Sequence, residues 1–217
     1  VASYDDFLSR VLPEVTGCSE LLATQAIKDT VIEFAERTLI HQVDHDPVSA
    51  VAKVPDYDLE TPVTDTRIIK IMKLWYSGAE LDPAAPDEIR DPTVYNQRVG
   101  NYQTQYATPR AYLQKDPNTF SLFPIPEQSL VNAVTLRIAL APLRSSTTCN
   151  DLFYEQWVEP IAAGAVARLQ MSPGKAYSNP KFAPINTTKY MVGINEARQK
   201  ASRGYTRANL RVQMRRI

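Results

Sequence analysis

Asp151-Leu-Phe-Tyr-Glu-Gln-Trp-Val-Glu-Pro160-Ile-Ala-Ala-Gly-Ala-Val-Ala-Arg-Leu-Gln170 and Ala183-Pro-Ile-Asn-Thr-Thr-Lys-Tyr190-Met-Val-Gly-Ile-Asn-Glu-Ala-Arg-Gln-Lys-Ala-Ser-Arg203 decide the fold. In the first, Tyr154, Val158, Ile161, Ala165 and Leu169 recur at spacings of four and three, one stripe of a 3.6-residue helix. In the second, Ala183, Thr187, Tyr190, Ile194, Ala197 and Ala201 do the same. Ser172-Pro173-Gly174 reads as a short hinge, so the two helices are expected to fold back antiparallel. Phe153, Trp157 and Val166 form a second apolar flank that needs a third helix. Pro160, one turn in, is expected to kink the helix or mark its true start.

The third helix is expected upstream, from about Ser19 to His41. There Ile27, Val31, Phe34 and Thr38 share a face, and Lys28, Asp29, Glu33, Glu36 and Arg37 fall largely elsewhere, the pattern of a helix packed on one side. Before it, Ser3 and Asp6 suggest a capping box opening a short amphipathic helix through Tyr4, Phe7, Leu8, Val11 and Leu12, ended by Pro13.

Between these helices the period changes. Val48–Val54, Arg67–Tyr76, Arg110–Gln114, Thr119–Phe123 and Ala133–Leu140 are short runs rich in β-branched and aromatic residues, so they read as strands. In Arg67–Tyr76, Ile69, Ile71 and Lys73 alternate with Ile68, Lys70 and Met72. Eleven of the sixteen prolines lie between Pro47 and Pro142, where they mark loops and strand ends. Asp116-Pro117-Asn118 and Ser77-Gly78 read as hairpin turns, and Asp87 to Arg98 as room for a helical turn or two. The fold class is therefore α+β. An antiparallel helical bundle (residues 1–46 and 147–203) carries an inserted antiparallel β-sandwich of five to seven strands (47–146), and residues 204–217 form an extended C-terminal arm.

With 217 residues, 44% of them hydrophobic and 22% charged, the composition is that of an ordinary globular chain. No run approaches the length of a membrane span, and Val1 to Asp6 has neither the basic start nor the apolar centre of a signal peptide, so a cytosolic site of synthesis is expected. Cys18 and Cys149 are expected to be reduced structural thiols. The formal net charge is zero, but it is unevenly placed. Ala197–Ile217 holds seven basic residues (Arg198, Lys200, Arg203, Arg207, Arg211, Arg215, Arg216) and no acid, leaving 17 basic against 24 acidic groups elsewhere, a net of −7. Tyr205, Leu210, Val212, Met214 and Ile217 interleave with that charge. Leu210 to Arg215 alternates apolar with polar or basic residues, as an extended arm entering a protein groove would.

Other candidate chemistry is sparse. His41, Asp44, His45 and Asp46 form the densest cluster: two histidines four apart on a helix can share a divalent metal, although a histidine at a helix C-terminus also suits the macrodipole. Tyr102, Tyr106 and Tyr112 with Arg98 and Arg110 are a candidate surface for stacking a sugar, the basis of an alternative reading as a carbohydrate-binding β-sandwich on a helical stalk. No phosphate-binding loop, nucleophile elbow or Cys-x-x-Cys is present, so no catalytic residue, cofactor or metal site is assigned.

Helix, long β insertion, helical hairpin and basic arm in this order resemble the head-to-tail adaptor (connector) proteins of tailed bacteriophages, the family that includes the tail tubular A or gatekeeper proteins of short-tailed phages. The likeness is carried by Val134-Thr-Leu-Arg-Ile-Ala-Leu-Ala-Pro142, Phe153-Tyr-Glu-Gln-Trp157 and Ala162-Ala-Gly-Ala-Val-Ala-Arg168. The resemblance implies a structural virion protein of the neck or tail, made in the host cytoplasm and without enzymatic activity. It implies a homo-oligomeric ring, usually of twelve copies, beneath the portal protein. That ring meets a tail nozzle or tail-tube protein and continues the channel through which genomic DNA passes without sequence-specific binding. The arm, with Arg203, Tyr205, Arg207, Leu210, Arg211, Val212, Met214, Arg215, Arg216 and Ile217, would reach the portal. An acidic body suits a channel that must release DNA, because every phosphate contact adds affinity.

Overall fold

The computed structural model describes residues 1–85 and 106–204. The chain falls into two compact units, one made of Val1–His41 and the chain from Pro142 on, the other of Gln42–Ala141. It is a mixed α+β protein, with four α-helices among the described residues and sheets that are mainly antiparallel.

In the first unit, strand β1 (Ala2–Ser3) pairs antiparallel with β10 (Thr148–Cys149). The expected capping box is present, with Ser3 Oγ accepting from the Asp5 backbone N–H and Asp6 accepting from that of Ser3. The single short helix expected here is instead three pieces: a 3₁₀ turn (Tyr4–Phe7), α1 (Leu8–Val11) and a second 3₁₀ turn (Leu12–Glu14). Pro13 sits in the first positions of that last turn, where its missing N–H costs nothing, so it continues the segment rather than ending it.

Helix α2 (Glu20–Thr38) opens on Ser19, whose hydroxyl accepts from Leu22 N–H. It ends earlier than His41 because Leu39 adopts a left-handed conformation (φ 53°) and its N–H closes on Ala35. Its buried residues go beyond the single expected face: Ala23, Thr30, Ile32 and Ala35 join Ile27, Val31, Phe34 and Thr38. The reason is that α2 is covered by the N-terminal segment as well as by helices α3 (Asp151–Gln170) and α4 (Ala183–Arg203).

Helices α3 and α4 touch at Gln156 with Lys200, Pro160 with Gly193, Gly164 with Tyr190 and Gln170 with Asn186, so they run antiparallel. The connection between them is not the three-residue hinge expected but residues 171–182. Its anchor is Gln170, 3% exposed, whose backbone oxygen accepts from Asn179 and whose side chain bonds Asn186 and the Glu14 carbonyl. Pro160 does distort its helix. Trp157, three residues earlier, is non-helical (φ −129°, ψ 18°), as expected where a proline ring displaces the preceding turn.

The second unit holds two four-stranded sheets. One has the order β2 (Gln42–Ala50), β9 (Leu130–Pro142), β4 (Thr66–Tyr76), β5 (Ala79–Glu80). The other has the order β3 (Asp56–Asp58), β8 (Thr119–Phe123), β7 (Ala111–Asp116), β6 (Asp82–Pro83). Both feed one hydrophobic cluster: Ile68, Leu74, Leu136 and Ile138 from the first, Tyr57, Phe120 and Leu122 from the second. Asp116-Pro117-Asn118 and Ser77-Gly78 form turns between paired strands, the latter with positive φ at both residues, as a tight hairpin requires.

Three expectations change here. Strand β2 begins at Gln42, not Val48, and tolerates Pro47 because its ladder to β9 shifts register between His45 and Val48. The β4 residues do not alternate strictly: Ile68, Ile71, Leu74 and Tyr76 are buried, and Ile71 has the wrong parity. Its backbone N–H is taken by the Gln114 side chain at 2.9 Å. Finally, β6 pairs parallel with β7, although an all-antiparallel insert was expected. Parallel partners need a long crossover, and Pro83 and Ala111 are far enough apart in sequence to provide one. The helical turn expected at Asp87 to Arg98 lies outside the described residues.

Candidate functional site

The basic C-terminal segment starts inside a helix. Arg198, Lys200 and Arg203 belong to α4, where cations complement the negative end of the helix dipole. Arg198 Nε donates to the Arg37 carbonyl at 2.7 Å, satisfying a backbone acceptor in the last turn of α2. Lys200 Nζ donates to Gln156 Oε1 at 2.8 Å and lies 5.5 Å from the Trp157 ring centroid. Two of the seven cations therefore hold the helices together. Arg203 is the last residue of α4, and Gly204 (φ 64°) ends it with its N–H on the Lys200 carbonyl. The other arm residues, Tyr205, Arg207, Leu210, Arg211, Val212, Met214, Arg215, Arg216 and Ile217, lie outside the described residues.

The N-terminal segment, α3 and the Asn186–Glu196 stretch of α4 wall a cleft of about 750 Å³. Its floor is apolar, with Trp157, Pro160 and Val166, and Val192 on the α4 side; its rim carries Arg10, Glu14, Glu159, Lys189 and Glu196. Small residues let α3 approach α4 and α2 closely beside it. A Cβ on Gly193 would fall 2.3 Å from Pro160 Cβ, and one on Gly164 would fall 2.7 Å from Thr30 Cγ2. The cleft is not legible in the sequence. Its residues come from segments with unrelated periods and meet only in the tertiary structure. An ion-pair network ties α2 to its neighbours: Asp29 with Arg144 at 3.0 Å and Arg168 at 3.8 Å, and Glu33 with Arg37 at 2.9 Å and with Arg168.

The histidine cluster is not a cluster. His41 and His45 are not on a helix, so the i, i+4 geometry does not exist, and the two residues belong to different units. His41 is buried, edge-on to Phe153, with its Nε2 3.2 Å from Asn150 Nδ2. Asn150 Oδ1 already accepts from Leu152 N–H, as N-cap of α3, so the amide presents its NH₂ to the imidazole. Nε2 is then the acceptor and Nδ1 carries the proton. Burial pushes the His41 pKa down. His45 bonds the Asp46 and Glu60 carbonyls, and Asp44 is paired with Arg137 at 2.7 Å, whose hydrogen bond holds its carboxyl below the usual range. Among the described residues no group of His, Cys, Asp or Glu is placed to hold a metal ion.

The tyrosine surface is dispersed too. Tyr112 is buried in the β core, whereas Tyr106 is exposed with Lys53 Nζ 5.9 Å from its ring centroid; Tyr102 and Arg98 lie outside the described residues. Cys18 and Cys149 are free thiols, and Cys149, buried and close to Asp151 and Asp6, has its pKa pushed up to about 12, far from a reactive thiolate. Among the described residues no helix is long and apolar enough to cross a membrane.

No curated protein matches the chain. The family model described as SU10 adaptor protein matches residues 2–214, taking in both units and the arm as far as Met214. The chain belongs to the SU10 adaptor protein family and is a bacteriophage head-to-tail adaptor, a structural protein of the virion.

Proposed function

We propose that this adaptor forms a closed homo-oligomeric ring, of twelve copies, between the portal and a tail nozzle or tail-tube protein. The ring extends the channel through which the genome leaves. In this reading the chain has three working parts: an antiparallel helical bundle (1–46 and 147–203), an inserted β-sandwich (47–146) and the arm (204–217). No catalytic step, cofactor or metal enters the proposal. The protein is made in the host cytoplasm and ends in the neck of the particle.

The observation that carries the reading is the family match over residues 2–214, which includes most of the arm. Charge supports it. Outside Ala197–Ile217 the chain carries a net of −7, so a channel built from it repels DNA instead of holding it by counterion release. One heterologous interface repeated around an axis closes a ring, and each arm on the same portal then adds avidity to its neighbours.

Deleting Gly204–Ile217 is expected to leave a folded protein that no longer co-sediments with portal rings of its own phage. Unchanged attachment of the truncated protein would remove the role given to Tyr205, Leu210, Val212, Met214 and the arginines.

A further inference from the structure

Helix α2 carries two leucines that its own bundle leaves uncovered. Leu21 and Leu22, in its first turn, are 80% and 48% exposed, whereas every other aliphatic or aromatic residue of the helix is buried. Leu21 precedes Thr30 by nine residues, half a turn out of phase at about 3.6 residues per turn. Thr30 faces the other two helices: its carbonyl accepts from the Tyr190 hydroxyl of α4 at 3.5 Å, and its Cγ2 lies 2.7 Å from where a Cβ on Gly164 of α3 would fall. Leu21 therefore points away from α3 and α4. On α4, Val192 is two residues from Tyr190, about 200° round the helix, and so points away from α2. It is 51% exposed and lines the cleft with Trp157, Pro160 and Val166. The helical unit thus has an apolar projection on one side and an apolar recess on the other.

Charge distinguishes what the recess can receive. On its rim Arg10 pairs with Glu159 at 3.3 Å, which leaves Lys189, Glu14 and Glu196, all exposed and without an ion pair among the described residues. A rim of both signs suits a partner of both signs rather than a simple cation or anion. The chain carries such a surface beside the leucines. Glu20 precedes Leu21, and Lys175 belongs to the α3–α4 connection, which reaches the start of α2 where a Cβ on Gly17 would fall 3.5 Å from Ala176 Cβ. Glu20 and Lys175 are exposed and have no ion pair among the described residues. Glu20 is the opposite of Lys189, and Lys175 of Glu14 and Glu196. A closed ring built from one heterologous interface needs two unlike surfaces on each copy, one that enters and one that receives, whereas a self-matching patch gives only a dimer.

We propose that the Leu21–Leu22 turn of one copy seats in the cleft of the next, with Glu20 against Lys189 and Lys175 against the rim glutamates. This names the contact between neighbours and rests on the ring reading above. Two leucines make a small contact, so copies already held side by side on one portal gain most from it.

The test is cross-linking of the full-length protein with a short bis-maleimide, with and without portal rings of its own phage, after Cys18→Ala has removed the half-buried native thiol. A chain carrying both Leu21→Cys and Val192→Cys is expected to give a ladder of dimers, trimers and higher species on a denaturing gel. Neither single variant should do so, and Leu21→Cys with Val131→Cys, an exposed control position in the β unit, should give no more than random collision. In the double-cysteine chain, Glu20→Lys or Lys189→Glu should each cut the ladder at least about tenfold, because like charges then face each other, and the two together should restore it. All these positions are exposed, so circular dichroism should be unchanged. No ladder under either condition would overturn the proposal. So would a dimer from one single variant alone, which means a self-matching contact, or a charge swap that fails to restore what each change removes. Electron microscopy of the same samples separates the two readings: closed rings without the ladder would defeat this contact and leave the ring standing, and a ladder from open chains would defeat the ring and leave the contact standing.

Discussion

The helical unit and the β unit solve the same packing problem in opposite ways. In the helical unit the closest contacts are made by the smallest residues, Gly164 against Thr30 and Tyr190 and Gly193 against Pro160. In the β unit the centre is filled by large side chains, with Phe120 fully buried and stacked on Tyr57 at a centroid distance of 5.4 Å. The first should therefore be most sensitive to added atoms and the second to removed ones. Each unit also has its own reporter, since one of the chain's two tryptophans, Trp75, lies in β4 and the other, Trp157, in α3.

Phe120→Ala should have the largest effect, about 3–5 kcal/mol, because it removes a ring and leaves a cavity. Denaturant unfolding followed in single-tryptophan variants should show this at Trp75; a larger shift at Trp157 would break the comparison. Gly193→Val should come next, at about 1–3 kcal/mol, since overpacking forces the Pro160 ring or its backbone to move. It should appear at Trp157, and a loss near zero would show that the helices can part without cost. Asn150→Ala, which deletes the N-cap of α3, is expected to cost about 1 kcal/mol, read as a lower thermal midpoint of helical circular dichroism.

The smallest effect concerns pH. Burial lowers the His41 pKa from its usual 6.5, so on acidification the unfolded chain binds a proton before the folded one does. The stability linked to His41 is complete above about pH 6.5 and declines as pH falls below it. The Trp157 denaturation midpoint should drop between pH 7.5 and 5.5 in the parent and drop less in His41→Gln. Equal slopes would mean that His41 is not the group responsible.

How far the fold could be read in advance differed between the units for a physical reason. In α3 and α4 the apolar stripes follow from the helix's own 3.6-residue repeat, and Ile161, Ala165, Leu169, Tyr190, Ile194 and Ala197 are all buried as their spacing implies. The Pro160 kink was equally legible, since proline acts on its own preceding turn. Strands offer less local information. Ile71 is buried out of phase, and its N–H is taken by Gln114, distant in sequence. The two-residue strands β5 and β6 are too short to leave any period.

By itself, then, the sequence determined the helix faces, the place of the β insert and the charge contrast between body and arm, because each depends on residues near one another along the chain. Only the tertiary structure decided that His41 lies off the helix and meets the Asn150 cap, that Tyr112 is core, and that Glu14, Trp157 and Glu196 share one cleft. Those facts depend on which distant segments are brought within a few ångströms of each other. Long-range proximity leaves no periodic trace in a single chain.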